Sequence, residues 1–393
     1  MKQLAKLSER ARVFAAGVAP LVEAVDHEQG VARALEALAR EGFLGWCVPA
    51  SWAGTGTDGL VDDGEVSVRA LCAIRARLAY ESGLLDVAFV MQGLGSYPVA
   101  CGGQDDLRGS LLPLVVEGKA VAAFALTEPG AGSSLGEIAT TATRTDTGWS
   151  LRGHKTFISN AGIADFYSVL ARTDGTPADK DLSGNFTMFH VPASTRGIEI
   201  RPFEVIAPHP IGEVLLNDVH VPDAHRLGEV GGGLALALRT LNRFRTSVAA
   251  AACGFARRAL DESVDHLARR VQFGRPLSAF QGLRFDVAEM DTRLRASELL
   301  VDEAAAAVDA GAENTREVAR AKLFSTETAS WVCDRAVQHL GGLGVRRGEV
   351  VERLFREVRS LRIYEGTSEI QKLILAKSIF EDRAASTESK SKG

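Results

Sequence analysis

Val121-Ala122-Ala123-Phe124-Ala125-Leu126 marks the point where the chain changes character, and the fold class turns on it. The stretch has strand composition and runs into a Pro- and Gly-rich turn, Thr127-Glu128-Pro129-Gly130-Ala131-Gly132. Upstream, apolar residues recur at helical spacing over 4–25, 31–43 and 66–94. Two breaks, Trp52-Ala53-Gly54-Thr55-Gly56 and Cys101-Gly102-Gly103-Gln104, read as loops. Downstream come short β-branched or alternating runs at 138–144, 149–152, 166–171, 186–191 and 213–216, separated by turn residues. From Val230 the helical period returns over 232–270, 277–310 and 314–340, the lengths of bundle helices. The reading is α+β. A helical N-terminal domain (1–119) precedes a small antiparallel β domain or barrel (120–226). A four-helix-type bundle (227–383) follows, and the polar tail (384–393) is expected to be disordered.

Length and composition narrow the function. With 393 residues there is room for two or three domains. Lys and Arg number 45 against 50 Asp and Glu, and no dense basic stripe occurs, which argues against nucleic acid and anionic membrane as partners. Five scattered cysteines without a CxxC pair argue against a disulfide framework or zinc site and for a reducing compartment. None of the eight histidines forms an HxH or HExxH pair, so no metal is expected. Met1-Lys2-Gln3-Leu4 lacks the apolar core of a signal peptide and no run is clean enough to span a bilayer. The expectation is a soluble, cytoplasmic protein.

The stretch that points to chemistry is Tyr364-Glu365-Gly366-Thr367-Ser368-Glu369-Ile370-Gln371. Ser368 followed by Gln371 reads as a capping box, and Ile370, Leu373 and Ile374 open an amphipathic helix. Glu365 then sits in a loop at the mouth of a helix, and Gly366 admits close backbone approach. A carboxylate on so rigid a mount suits proton abstraction from a bound substrate. Taken alone, a capped helix behind a solvated glutamate is the better reading. The same holds for Leu126-to-Ser134, whose glycines and hydroxyls suit a planar or phosphorylated ligand but also make an ordinary turn. It is no GxGxxG fingerprint, so a dinucleotide-binding βαβ unit is disfavoured.

Five motifs in order change the balance. Leu126-Thr127-Glu128-Pro129-Gly130-Ala131-Gly132-Ser133-Ser134 resembles the flavin-facing loop of the acyl-CoA dehydrogenase family, and Gly153-His154-Lys155-Thr156-Phe157-Ile158-Ser159-Asn160 resembles its next signature. Arg270-Val271-Gln272-Phe273-Gly274, Gln338-His339-Leu340-Gly341-Gly342-Leu343-Gly344 and the Tyr364-to-Gln371 stretch are similar to the remaining three. The resemblance implies FAD as cofactor and Glu365 as catalytic base, supported by Arg245. It implies that Leu126, Thr127, Ser133, Phe157 and Ser159 face the flavin, with Ser133 also reaching the substrate's carrier arm. Arg270, Gln272, Phe273, Gln281, Gln338, Gly341 and Gly342 would contact the FAD of a neighbouring subunit in a dimer or tetramer, and Thr367 and Glu369 would close over the cofactor. Asn242, Arg245 and Gly366 join Ser133 as substrate contacts.

In some relatives the base stands at the position of Phe244, which cannot take a proton here. Three residues depart from the family's usual choice: Ser134 for Asp, Phe157 for Trp, and Asn242 for Asp. By resemblance the reaction is α,β-dehydrogenation of an acyl-CoA or acyl-carrier-protein thioester to the trans-2-enoyl product. Glu365 takes the α-proton, the flavin takes the β-hydride, and an electron-transfer flavoprotein is the acceptor. Desolvation by the acyl chain should raise the carboxyl from about 4.3 toward a better-matched base. An oxidase on the same fold is the nearest rival, and a non-catalytic assembly protein is the rival from another class.

Overall fold

The computed structural model describes residues 2–56, 59–173, 185–312 and 314–391. The chain divides into two compact units, one built from Val13–Ser67 and Ser82–Phe244, the other from Met1–Arg12, Val68–Glu81 and Arg245–Gly393. The helical, β, helical order along the chain is the one expected from the periodicity.

The first unit carries the C-terminal half of α1 (Lys2–Glu23), then α2 (His27–Arg40), α4 (Gly83–Gly102), α5 (Asp105–Val116) and a sheet of eight strands. The apolar period over 66–94 is two helices, α3 (Val68–Glu81) and α4. The break falls at Ser82, whose hydroxyl caps α4 by accepting the Leu85 N–H at 3.2 Å. Helix α4 is long and apolar enough to cross a membrane, but 89% of its apolar window is buried inside the protein. It packs on β1 (Ala122–Ala125), where a Cβ at Gly95 would come within 2.7 Å of Ala122 Cβ, so the close approach requires glycine. The Gln92 amide completes the junction by bonding both Ala120 O (3.1 Å) and the Ala122 N–H (2.8 Å).

The other sheet strands are β2 (Thr141–Thr145), β3 (Gly148–Ser159), β4 (Phe166–Thr173), β5 (Phe186–Pro192), β6 (Ile198–Pro202), β7 (Ile211–Pro222) and β8 (Arg226–Leu227). They run in the order β6-β7-β3-β2-β4-β5-β8, and β1 joins β4. The sheet is mainly antiparallel, as expected of the small β domain, with β4 lying parallel to both β1 and β2. The sequence reading missed β6, although Ile198-Glu199-Ile200-Arg201 alternates, and β8, which is only two residues long. A core of Trp149, Leu151, Tyr167, Val169, Phe189, Val214 and Val221 fills the sheet's inner face.

The second unit is helical. α6 (Gly233–Arg269), whose residues from Arg245 belong here, leads to a short hairpin of β9 (Val271–Gln272) and β10 (Arg275–Pro276). Helices α7 (Gln281–Asp309), α8 (Thr315–Leu340), α9 (Val350–Leu361) and α10 (Ser368–Ser391) follow. The sequence reading did not foresee α9, a strongly amphipathic helix that sends Val351, Leu354, Val358 and Leu361 into the core. Helix α10 runs on to Ser391, into the stretch expected as a tail.

Candidate active site

In the first unit, the two flavin-type motifs are fastened to each other by one buried cation. Lys155 on β3 is fully buried, and its Nζ donates to Leu126 O (3.1 Å) and Glu128 Oε1 (2.7 Å). Glu128 also accepts the N–H groups of Ala139 (2.6 Å) and Thr140 (3.0 Å), and the Thr156 N–H donates to Thr127 O (2.9 Å). Burial pulls the Lys155 ammonium down to about 8, against the upward pull of Glu128. Burial pushes Glu128 the other way, but Lys155 and the surrounding donors outweigh it and hold the carboxyl below its ordinary value.

The ion pair leaves the rest of the loop open. Gly130, Gly132 and Ser133 are exposed, and a Cβ at either glycine would meet nothing within 4 Å, so backbone amides stand open to a ligand. Beside the loop the β3–β7 register slips by one residue between Lys155 and Ile158. Phe157 occupies this bulge at φ 55°, its side chain re-aimed outward and the residue 62% exposed. A non-glycine residue in the left-handed region is strained, and such strain persists where surrounding structure over-determines it. Buttressed edge-on by Phe203 (5.2 Å), Phe157 offers an aromatic face next to open amides, which fits a planar hydrogen-bonding ring system such as isoalloxazine.

Ser159, two residues on, lies 3.0 Å from His209 Nε2. His209 Nδ1 faces Ala207 O at 2.9 Å, so Nδ1 carries the proton and Nε2 accepts. Burial pulls this imidazole down, and in its neutral form it orients the Ser159 hydroxyl proton toward itself. Asn242 is half-buried on α6. Phe244, at the other family base position, is fully buried with its ring edge 2.4 Å from where a Gly93 Cβ would stand.

In the second unit the Tyr364-to-Gln371 stretch forms a clamped turn between α9 and α10. Glu365 adopts φ 53° and Gly366 φ 92°. Arg245 on α6 donates Nε–H to Glu365 O (2.8 Å), while Lys322 on α8 donates to Gly366 O (2.8 Å) and Gln371 Nε2 donates to the same carbonyl (2.9 Å). At φ 92° a side chain at residue 366 would be strained, and its Cβ would also displace the Gln371 amide, 2.6 Å away, from the Gly366 carbonyl. The capping box does not form as expected. Thr367 Oγ1 accepts the Ile370 N–H at 3.3 Å, whereas Ser368 Oγ donates to Glu327 Oε1 (2.6 Å) and Gln371 turns back to Gly366. Glu327 also holds Arg362 (2.8 Å), so α8 grips the turn on both sides of Glu365.

The remaining expected residues lie in the second unit, and all but Thr367 are exposed. Arg270, Gln272 and Phe273 surround the tip of the β9–β10 hairpin, and Gln281 opens α7. Phe273 (φ 52°) and Gly274 (φ 79°) both take the positive φ that a two-residue hairpin favours, and Phe273 is 91% exposed. Gln338 lies in the last turn of α8 (Thr315–Leu340), its carbonyl accepting the N–H of Gly341 (φ 59°). Gly341 and Gly342 have open space where side chains would stand. Glu369 is exposed on α10, and Thr367 is half-buried.

The sequence reading missed Glu128, Lys155 and His209 as fasteners, and Lys322 and Glu327 altogether. Lys322 left a trace: it shares a helical stripe with Val318, Ala321, Ser325 and Ala329, all buried. A cation at a core position of that stripe marks a buried, partnered charge.

Family models for the acyl-CoA dehydrogenase N-terminal, middle and C-terminal domains match residues 2–119, 123–219 and 231–380. The chain belongs to the acyl-CoA dehydrogenase family. It is similar to benzylmalonyl-CoA dehydrogenase of Aromatoleum aromaticum, 38% identical over 92% of this chain and 93% of that one. It is 33% identical to a caffeyl-CoA reductase-Etf complex subunit of Acetobacterium woodii over 87% and 88% of the two chains. Butyryl-CoA dehydrogenase from Megasphaera elsdenii superposes with a TM-score of 0.87 at 30% identity, covering 97% of this chain and 98% of that one. An acyl-CoA dehydrogenase from Bacillus anthracis in complex with FAD gives 0.87 at 26% identity, covering 98% and 68%. As a family member the chain is an FAD-dependent oxidoreductase. Relatives named as dehydrogenases and as reductases both occur.

Proposed function

We propose that this acyl-CoA dehydrogenase family member interconverts an acyl-CoA thioester and its trans-2-enoyl form, with Glu365 exchanging the proton at Cα. The observation that carries the reading is the strained turn at Glu365, whose carbonyl is held by the half-buried Arg245 guanidinium at 2.8 Å. A solvated glutamate ahead of a helix needs neither the positive φ nor a cation drawn from another helix. A thioester α-hydrogen is a weak acid, so its removal calls for a base fixed within reach of one carbon and for donors at the developing enolate oxygen. The Glu365 N–H is the backbone donor assigned to that oxygen. FAD, when bound, exchanges the hydride at Cβ. Leu126, Thr127, Ser133, Phe157 and Ser159 hold its ring system, Thr367 and Glu369 close over it, and Asn242 and Ser133 meet the carrier arm.

Two relations with other proteins belong to the same reading. The strained, exposed Phe273, with Arg270, Gln272, Gln281, Gln338, Gly341 and Gly342, forms the contact to a second subunit's FAD. An electron-transfer flavoprotein, the kind of partner named for the caffeyl-CoA reductase relative, exchanges electrons with the reduced enzyme.

The purified protein should be yellow and release FAD on acid precipitation. Mixed without oxygen with a panel of straight-chain, branched and aryl acyl-CoA thioesters, its flavin absorbance should bleach with at least one, and the matching enoyl-CoA should appear. A flavin-loaded protein that no thioester bleaches and no enoyl thioester re-oxidises would remove the proposal. Light scattering at micromolar concentration should give a dimer or larger, and flavin removal should favour dissociation, because a ligand held by two chains stabilises their association. A flavin-loaded monomer would overturn the Phe273 contact.

A further inference from the structure

We infer that Lys322 is a second positioning residue for the base-bearing turn, acting on Glu365 through the Gly366 carbonyl and through its own positive charge. This rests on Glu365 being the base. Lys322 lies in the middle of α8, more than forty residues before the turn, and is fully buried. Its stem runs along an apolar helix stripe, where a leucine or methionine would serve packing equally well. An ammonium placed there must be paired, because an isolated buried charge is heavily penalised. Its hydrogen-bond partner is Gly366 O, at 2.8 Å.

The geometry gives that bond a purpose. Arg245 holds the carbonyl of Glu365 and Lys322 holds the carbonyl of Gly366, so two consecutive peptide planes are fixed from two different helices. Gly366 at φ 92° lies between these restraints, with Gln371 as a second donor to its carbonyl, and Glu365 at φ 53° enters the first of the two planes. Fixing both planes anchors the backbone on the C-terminal side of Glu365, the side from which its Cα is held in place. Charge adds to this. The groups facing the ammonium are Glu365 in the turn, Arg245 on α6, Glu327 on α8 itself and Glu369 on α10. Burial pulls the ammonium down to about 8, and Glu365 exerts the largest opposing pull. A cation that senses Glu365 also favours the ionised form of Glu365, the form that accepts a proton.

The donor and the charge separate experimentally. Lys322→Gln keeps a donor for Gly366 O and removes the charge, whereas Lys322→Met removes both. Two readouts are taken on the flavin-loaded protein. The first is amide hydrogen exchange of peptides covering 362–371, which needs no substrate. The second is wash-in of deuterium at Cα of phenylacetyl-CoA, which has α-hydrogens but no β-hydrogen to lose, followed from pH 5 to 9. Lys322→Met should lose protection across the turn, and Lys322→Gln should keep most of it. Both should move the acidic limb of the wash-in profile upward by about one pH unit, a roughly tenfold slower exchange at pH values below both limbs, as loss of a neighbouring cation requires.

Unchanged protection in Lys322→Met, or an acidic limb that stays in place in both variants, would overturn the inference. If Lys322→Met does not fold, Lys322→Gln alone decides the charge effect. Wild-type protein that washes deuterium into no thioester would instead defeat the proposed function, while the hydrogen-exchange comparison would still decide whether Lys322 holds the turn.

Discussion

Glu365→Gln is expected to keep flavin and thioester binding and to lose about 10⁴-fold in turnover, the upper end for removal of a general base. The substitution preserves the shape of the side chain. It also leaves both backbone restraints intact, because Arg245 and Lys322 bond the carbonyls of residues 365 and 366 rather than the carboxylate. A change in rate therefore reports the lost proton acceptor and not a collapsed turn. Phe244, fully buried over Gly93, offers no substitute base. Rapid-mixing measurement of flavin bleaching gives the chemical step, and deuterium wash-in at Cα gives proton removal alone. Both should fall together. Near-wild-type bleaching in Glu365→Gln would mean that this glutamate only flanks a helix.

The second large effect is expected at Lys155. Lys155→Met leaves the Glu128 carboxylate buried without its cation, a change worth roughly 3–5 kcal/mol of stability. The double variant Lys155→Met/Glu128→Gln should recover a substantial part of the loss, because removing both charges leaves no unpaired ion behind. Flavin affinity should drop in the single variant as well, since the ion pair ties the open 130–133 loop to the strand bearing Phe157. Thermal melting and flavin release by fluorescence measure the two effects.

The pair also predicts how stability responds to acid. Glu128 is held below its ordinary value in the folded protein, so the unfolded chain binds its proton at the higher pH. Its contribution is complete above the unfolded carboxyl value of about 4.3 and is lost as pH falls through the lower folded value. The difference in melting temperature between wild type and Glu128→Gln should accordingly narrow below about pH 4. A difference that does not change with pH would show that Glu128 is not the titrating partner of Lys155.

The order of helical, β and helical regions was legible in the sequence because it depends on local periodicity and turn residues. The apolar repeat over 232–270 became α6, and the strand composition of 121–126 became β1. The motif stretches around Thr127, Phe157, Phe273, Gly341 and Glu365 were legible for a similar reason: glycines and aromatics at fixed offsets fix local backbone shape. Boundaries set by a single side chain were not, as with Ser82 dividing α3 from α4. The exchange of partners at Thr367, Ser368 and Gln371 was hidden because Glu327, which draws away the Ser368 hydroxyl, lies on another helix.

What only the tertiary structure decided is the set of long-range charges. Lys155 reaches back to Glu128 across 27 residues, and Lys322 reaches forward to Gly366 across 44. No local pattern records such pairs, since each partner alone reads as an ordinary polar residue. Burial makes them consequential: inside the protein an unpaired charge is costly, so each lysine is committed to the carbonyls and carboxylates that the fold brings within reach. The sequence singled out Glu365 and the 126–134 loop, and the packing of distant helices and strands determined what holds them still.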